Sequence, residues 1–310
     1  MATIPGSQFT VTAPFQAVNI VETMTGSGLP AGVSNDFNLE IFVGSLGNAP
    51  LGPAPGYQGL AVLSPNGTEL DLVSGVYAVT DNGSGDTLNA YGNAETIIGS
   101  SAGTVLNLYG NGDVAQGGGP DTISLYGNGE IANGSGNDQI GAYGLADTVN
   151  PGSGNDLITL GNTAEFVNGG TGSDTITGFG DWDTVDVGSG HDTVSLTGQY
   201  NQVNAGTGSD TISVSGSYDT VTSGATAGTG ANATITLNGT NMTLFDGAST
   251  YADTVVGFSH AVGDTINLSD SGHTVASSGL VNGNQDTLIT LNDGSTILLK
   301  GVTNVNGIFS

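Results

Sequence analysis

One motif recurs along the chain. "GGTGSDTIT" at residues 169–177 returns as "PGSGNDLIT" from Pro151, "VGSGHDTVS" from Val187 and "AGTGSDTIS" from Ala205. Aligned on the acid, a column runs through Asp86, Thr104, Asp121, Asp138, Asp156, Asp174, Asp192 and Asp210, each 17 or 18 residues after the last, with Thr104 as a gap. A second column lies half a period away: Glu95, Asp113, Glu130, Asp147, Glu165, Asp183, Asn201 and Asp219. The unit is therefore about 18 residues, built of two nines. A unit that short cannot bury a core alone and must stack on its copies, which makes a solenoid.

Apolar residues follow the same clock. Two positions after the first column stand Leu88, Leu106, Ile123, Ile140, Ile158, Ile176, Val194 and Ile212, and two further on stand Ala90, Leu108, Leu125, Ala142, Leu160, Gly178, Leu196 and Val214. The second column is followed by Ile97, Ala115, Ala132, Val149, Val167, Val185, Val203 and Val221. Alternation at period two places each set on one strand face. The expected fold is an all-β, right-handed parallel β-roll of about 18 residues per turn, thin and filled with small aliphatics. Such regular recurrence argues against disorder, despite the high glycine content and acidity. The glycines belong at the turns, where backbone conformations cheap only for Gly close the coil.

Charge narrows the partners. The 28 acidic residues face a single basic one, Lys300, for a formal net charge of −27. Nucleic-acid binding needs clustered Lys and Arg, and an anionic membrane surface needs a polybasic stretch, so cations are the natural partners. No apolar run approaches the ~18 residues of a membrane span, so membrane insertion is not expected. The first residues, "MATIPGSQFTVTAPF", lack the basic and apolar regions of a signal peptide. With no cysteine, neither disulfides nor thiol chemistry is available, and a metal is the obvious alternative staple.

The columns say which metal. In a parallel coil, equivalent residues of adjacent turns lie about 4.8 Å apart. Two carboxylates at that spacing repel by roughly 0.9 kcal/mol in water and about 3.5 kcal/mol at an effective dielectric of 20. A divalent ion between turns reverses the sign, and hard carboxylate and carbonyl oxygens suit Ca2+.

With these residues in view, the chain resembles the RTX (repeats-in-toxin) family of calcium-binding β-rolls, whose nonapeptide is G-G-x-G-x-D-x-U-x with U apolar. "GGTGSDTIT" matches every defined position, while "NGSGNDQIG" from Asn133 and "QGGGPDTIS" from Gln116 lose the first Gly. The resemblance spans residues 81 to about 223. It implies that Asp121, Asp138, Asp156, Asp174, Asp192 and Asp210 are metal ligands. Carbonyls of Gly134, Gly136, Gly152, Gly154, Gly170, Gly172, Gly188, Gly190, Gly206 and Gly208 would assist in the same loops. The second column departs from the motif, reading "YGNAET", "YGNGDV", "YGNGEI" and "YGLADT". There the expectation is an edge closed by stacked Tyr91, Tyr109, Tyr126 and Tyr143 rather than by ions.

Three domains are expected: an N-terminal β-strand cap or assembly segment at 1–80, the roll at 81–247, and a C-terminal cap at 248–310. "PNGT" at 65–68 reads as a hairpin turn and "LGNAPLGPAPGYQG" as an extended loop. "DTVVGFSHAVGDTINLS" and "DTLITLNDGSTILLKGV" are similar to the target region that follows RTX arrays in type I secretion substrates. The secretion apparatus is then a partner and the location extracellular or at the cell surface. Neither a "HExxH" helix nor a "GxSxG" elbow is present, and His191, His260 and His273 are scattered, so no enzyme is expected. The expected function is a secreted, calcium-binding structural protein that self-associates into a surface layer, filament or biofilm matrix. The alternative is an adhesin-like binder of carbohydrate, such as cell-surface polysaccharide, or of ice. It would use the outward Thr175/Thr177, Thr193/Ser195, Thr211/Ser213, Thr234/Thr236 and Thr122/Ser124.

Overall fold

The inward aliphatic ladders and the turn glycines fold the chain into parallel coils about 18 residues apart, a β-solenoid of about 10 turns with almost no helix. The computed structural model describes residues 84–309 apart from 225–231, 248–251 and 269–271; before residue 84 it describes the strands Ser7–Val11, Leu39–Val43, Gly59–Leu63, Glu69–Leu72 and Ala78–Asp81. The chain divides into two units, Met1–Ser153 and Gly154–Ser310.

In the first unit each coil contributes a strand to each of two sheets. One sheet stacks Ala78–Asp81, Thr96–Ile98, Val114–Gln116, Ile131–Asn133 and Thr148–Asn150 in parallel. The other stacks Glu69–Leu72, Asp86–Ala90, Thr104–Leu108, Thr122–Leu125 and Gln139–Ala142. The coil pattern reaches back before residue 81: Gly59–Leu63 pairs in parallel with Ala78–Asp81, and Leu39–Val43 with Gly59–Leu63. Ser7–Val11 closes the series antiparallel to Leu39–Val43. The expected hairpin at 65–68 does not form a paired unit. Gly59–Leu63 and Glu69–Leu72, on either side of it, belong to different sheets and so do not pair with each other. The turn itself and the loop expected at 46–58 lie outside the described residues.

The second unit repeats the plan. Ile158, Ile176, Val194, Ile212, Ile235 and Val255 stack in register through successive parallel pairs. Each inward aliphatic of the three ladders foreseen from sequence is buried, from Leu88 and Ile97 to Ile212 and Val221. Each contributes roughly 1.5–3 kcal/mol by leaving water when it is as large as Val, Leu or Ile. The coils continue beyond Gly224 with longer connections: Thr211 pairs with Thr234 and Thr234 with Thr254. The stack ends in an antiparallel turn-back, Val275–Val281 on Asp286–Leu291 on Thr296–Leu299, with the last of these parallel to Ala252–Val256.

Candidate metal centre

The turn glycines of the repeat come first, because they decide what the edge can hold. Every glycine expected to assist, except Gly134, has a positive φ, from +69° at Gly206 to +150° at Gly190. Close approach is as strict as the dihedral. A Cβ on Gly172 would overlap the Gly154 carbonyl oxygen, one on Gly190 that of Gly172, and one on Gly208 that of Gly190. The coils can therefore stack at strand spacing on this edge only with glycine in these places. A small third sheet runs along it, pairing Thr171–Gly172, Ser189–Gly190 and Thr207–Gly208. Some carbonyls are already engaged: Gly170 accepts the Ser189 N–H at 3.0 Å and Gly188 the Thr207 N–H at 2.8 Å. A carbonyl has two lone pairs, so these can still serve a cation.

The acids of the first column are buried rather than displayed. Asp121, Asp138, Asp156, Asp174, Asp192 and Asp210 are each 1–3 % exposed. One carboxylate oxygen of Asp121, Asp138, Asp174, Asp192 and Asp210 accepts the backbone N–H of the column residue one coil earlier. Asp121 takes Thr104 at 2.6 Å and Asp138 takes Asp121 at 2.8 Å in the first unit. In the second unit Asp174 takes Asp156, Asp192 takes Asp174 and Asp210 takes Asp192, at 2.8, 2.7 and 2.9 Å. At the gap, the Thr104 hydroxyl accepts the Ser100 N–H at 2.9 Å. This amide–carboxylate relay was missed in the sequence, where the acids stood only as ligands and repelling charges.

The remaining oxygens show what the row lacks. Oδ2 of Asp174, Asp192 and Asp210 is buried with no hydrogen-bond partner. Burial pushes these carboxyls up, Asp121 and Asp192 to about 6, with the neighbouring acids adding to the rise at both. Lys300, the one basic residue of the sequence, is spent on Asp286 at 3.1 Å, and His191 offsets only part of the rise at Asp192 and Asp210. Among the described residues no three His, Cys, Asp or Glu side chains meet as a metal cluster, so an ion here would draw on carboxylates of adjacent coils and loop carbonyls together. Orphaned carboxylate oxygens, hard carbonyls and the absence of sulfur fit Ca2+.

The same relay recurs at the aspartates of the second column, while Glu130 Oε2 accepts the Gly127 N–H of its own turn at 2.9 Å. Glu95 donates its N–H to Asp113 at 2.8 Å, Glu130 to Asp147 at 3.0 Å and Glu165 to Asp183 at 3.1 Å. Its turns carry the expected aromatic stack: Tyr91, Tyr109, Tyr126 and Tyr143 follow at 4.9, 4.9 and 5.5 Å between ring centroids. A second stack in the other unit was missed: Trp182 on Tyr200 at 4.3 Å and Tyr200 on Tyr218 at 5.1 Å. These rings sit directly before the column residue, at φ +66°, +60° and +62°, whereas the tyrosines of the first stack sit four residues before it. Their spacing of 18 residues was the available signal. The histidines do not gather. His191 is exposed on its turn, and His273 lies 2.6 Å from Asp246 and 3.4 Å from Asp293, tying the C-terminal turn-back to Thr243–Asp246.

Residues 159–194 match the family model of the RTX calcium-binding nonapeptide repeat, in four copies. Comparison with curated proteins and with solved structures gave no match. RTX repeats bind calcium, and proteins that carry them are typically secreted. No helix among the described residues is long and apolar enough to cross a membrane. Four nonapeptide copies, set in parallel coils whose turns end in buried aspartates, fit an RTX calcium-binding β-roll protein.

Proposed function

We propose that the chain is a secreted structural protein whose roll closes when calcium occupies the first edge, and whose folded copies then associate. The supporting observation is the row of buried, unpartnered Oδ2 atoms at Asp174, Asp192 and Asp210, one coil apart in a chain of net charge −27. Without a cation, each adjacent pair costs roughly 0.9–3.5 kcal/mol. Asp121, Asp138, Asp156, Asp174, Asp192 and Asp210 would hold the ions, with the glycine carbonyls of the same loops. Where calcium is scarce the chain stays open enough for a secretion channel; outside, mass action closes it. On this reading residues 248–310 form the cap and type I target region, and residues 1–80 a cap or assembly segment.

Association is supported by the strand Val275–Val281, which among the described residues is paired on one side only. It reads VASSGLV, without charge or proline, and Val275 and Leu280 are 37 % and 47 % exposed. Natural edge strands are usually guarded by such residues, and an unguarded edge is a template for strand addition. In calcium, dynamic light scattering is expected to show large particles that chelator dissolves. Val275→Lys with Leu280→Lys should leave a compact monomer. If the double variant assembles like the parent, this edge is not the joint.

A second reading has its own observation. Thr175, Thr193, Thr211, Thr234 and Thr254 stand in register, with Thr177, Ser195, Ser213 and Thr236 beside them. An ordered hydroxyl array of this kind suits an ice or carbohydrate surface. Thermal hysteresis in a dilute calcium-loaded solution is the expected sign of ice binding; its absence ends that branch.

A further inference from the structure

The second acidic column contains its own comparison. Position 201 carries Asn where the coils on either side carry Asp183 and Asp219. Asn201 makes the same backbone contacts as the column's aspartates: its Oδ1 accepts the Asp183 N–H at 2.9 Å, and its N–H donates to Asp219 Oδ1 at 2.8 Å. Its remaining atom, Nδ2, donates to the Gly180 carbonyl at 3.3 Å. That side of the column therefore asks for a donor.

An acid in this place offers an acceptor instead. A Cβ on Gly216 would overlap the Gly198 carbonyl oxygen and lie 3.4 Å from Asp219 Oδ2; one on Gly127 would overlap the Gly110 carbonyl oxygen and lie 3.0 Å from Glu130 Oε1. Each carboxylate oxygen and a carbonyl of the preceding coil thus border the same glycine, as the Asn201 amide and the Gly180 carbonyl it reaches border the same turn. Glu130 and Asp219 are 0 % and 1 % exposed, and neither of these oxygens has a hydrogen-bond partner. Two buried acceptors cannot face one another without something between them. A protonated carboxyl supplies it, since it carries one O–H donor and is shaped like the Asn amide.

We propose that the second edge is held by protons: in the folded roll Glu130 and Asp219 are neutral carboxylic acids, each donating its O–H to the carbonyl of the preceding coil, as Asn201 donates its N–H. The surroundings favour this form from every side. Glu130 is flanked by Asp113 and Asp147 in the neighbouring coils, and Asp219 faces Asp181. The coil before Asp219 presents neutral Asn201, the coil after it Met242, and the adjacent turn Tyr200 and Tyr218. Among the described residues the charged neighbours that act on them are negative. Burial first, and these acids after it, lift Glu130 to about 8 and Asp219 to about 6. One coil would then be closed by cations on its first edge and by protons on its second. This goes beyond the calcium reading and does not depend on it.

The test uses the full chain with Asp219→Asn and Glu130→Gln, each supplying an N–H in place of the O–H. Calcium-driven folding by circular dichroism is expected to keep its midpoint within ~2-fold of the parent, because no ion is lost. In chelator near pH ~8, where the parent must ionise or keep an expensive proton, the variants should be at least as stable as the parent. A midpoint raised by ~10-fold or more would place a cation on this edge and overturn the proposal; so would a loss of stability in chelator, which would show that the charged form is needed. If one variant does not fold, infrared difference spectra of the calcium-loaded parent and the other variant near pH ~6 decide: loss of protonated-carboxyl intensity in the variant is expected, and an unchanged band overturns the proposal. Failure of the calcium reading has a different signature, namely no effect of Asp174→Asn on calcium-driven folding.

Discussion

Replacing Asp174 and Asp192 together by Asn is expected to raise the calcium concentration at the folding midpoint by roughly tenfold or more. The substitution is a clean one. Asn keeps the oxygen that accepts the N–H of the preceding coil, as Asn201 does for Asp183 at 2.9 Å, so the relay survives and only the charge and the second carboxylate oxygen are lost. In chelator near pH ~8 the sign reverses: the variant should be more stable than the parent, because two repelling charges are gone. A merely damaged fold would lower stability in both conditions. Glu130→Gln with Asp147→Asn should leave the midpoint within ~2-fold. Equal shifts for the two pairs, read by circular dichroism and titration calorimetry, would show that both edges take ions.

Without calcium, the protein is expected to be folded in mild acid and largely unfolded in mild base. Burial raises Glu130 from 4.5 to about 8, Asp253 from 3.8 to about 7, and Asp121, Asp192 and Asp219 from 3.8 to about 6. The folded state then binds more protons than the unfolded chain, so stability falls as pH rises, starting at the ordinary carboxylate values and ending near the folded ones. The window runs from about 4 to about 8. Asp286 has the opposite sign: hydrogen bonds from Asn282, Gly301 and Lys300 lower it to about 2. Its contribution is present above the unfolded value and lost only as pH falls through about 2. Circular dichroism in chelator between about pH 5 and 8, away from the pI of ≈ 4.1, checks the direction. More β-structure at the basic end would rule out buried neutral acids as the cause of instability.

Much of this was legible because the chain repeats. Period two inside period 18 gave the inward ladders, and Leu88, Ile97 and Leu106 are fully buried where that alternation puts them. The tyrosine stack was readable for the same reason. Past Gly224 the period itself is lost, because lengthened connections break the count; Thr234 was placed on the outward face with Thr211, and the two pair in register, with Thr254 following. The relay was illegible for a different reason. An aspartate ahead of a strand is equally consistent with a ligand, a solvated charge or an acceptor for a backbone amide, and only the stacking of Asp156 on Asp174 and Asp192 shows the last. Trp182, Tyr200 and Tyr218 kept the period but moved three positions along the turn, so they did not align with Tyr91.

The most direct test is a calcium titration of metal-free protein at neutral pH, following circular dichroism and hydrodynamic radius together. The expected result is an expanded chain with little β-structure that gains it cooperatively as calcium rises, while the radius first falls. Chelator should reverse the change. The same β-content and the same compact radius with and without calcium would contradict a roll closed by ions between its buried aspartates.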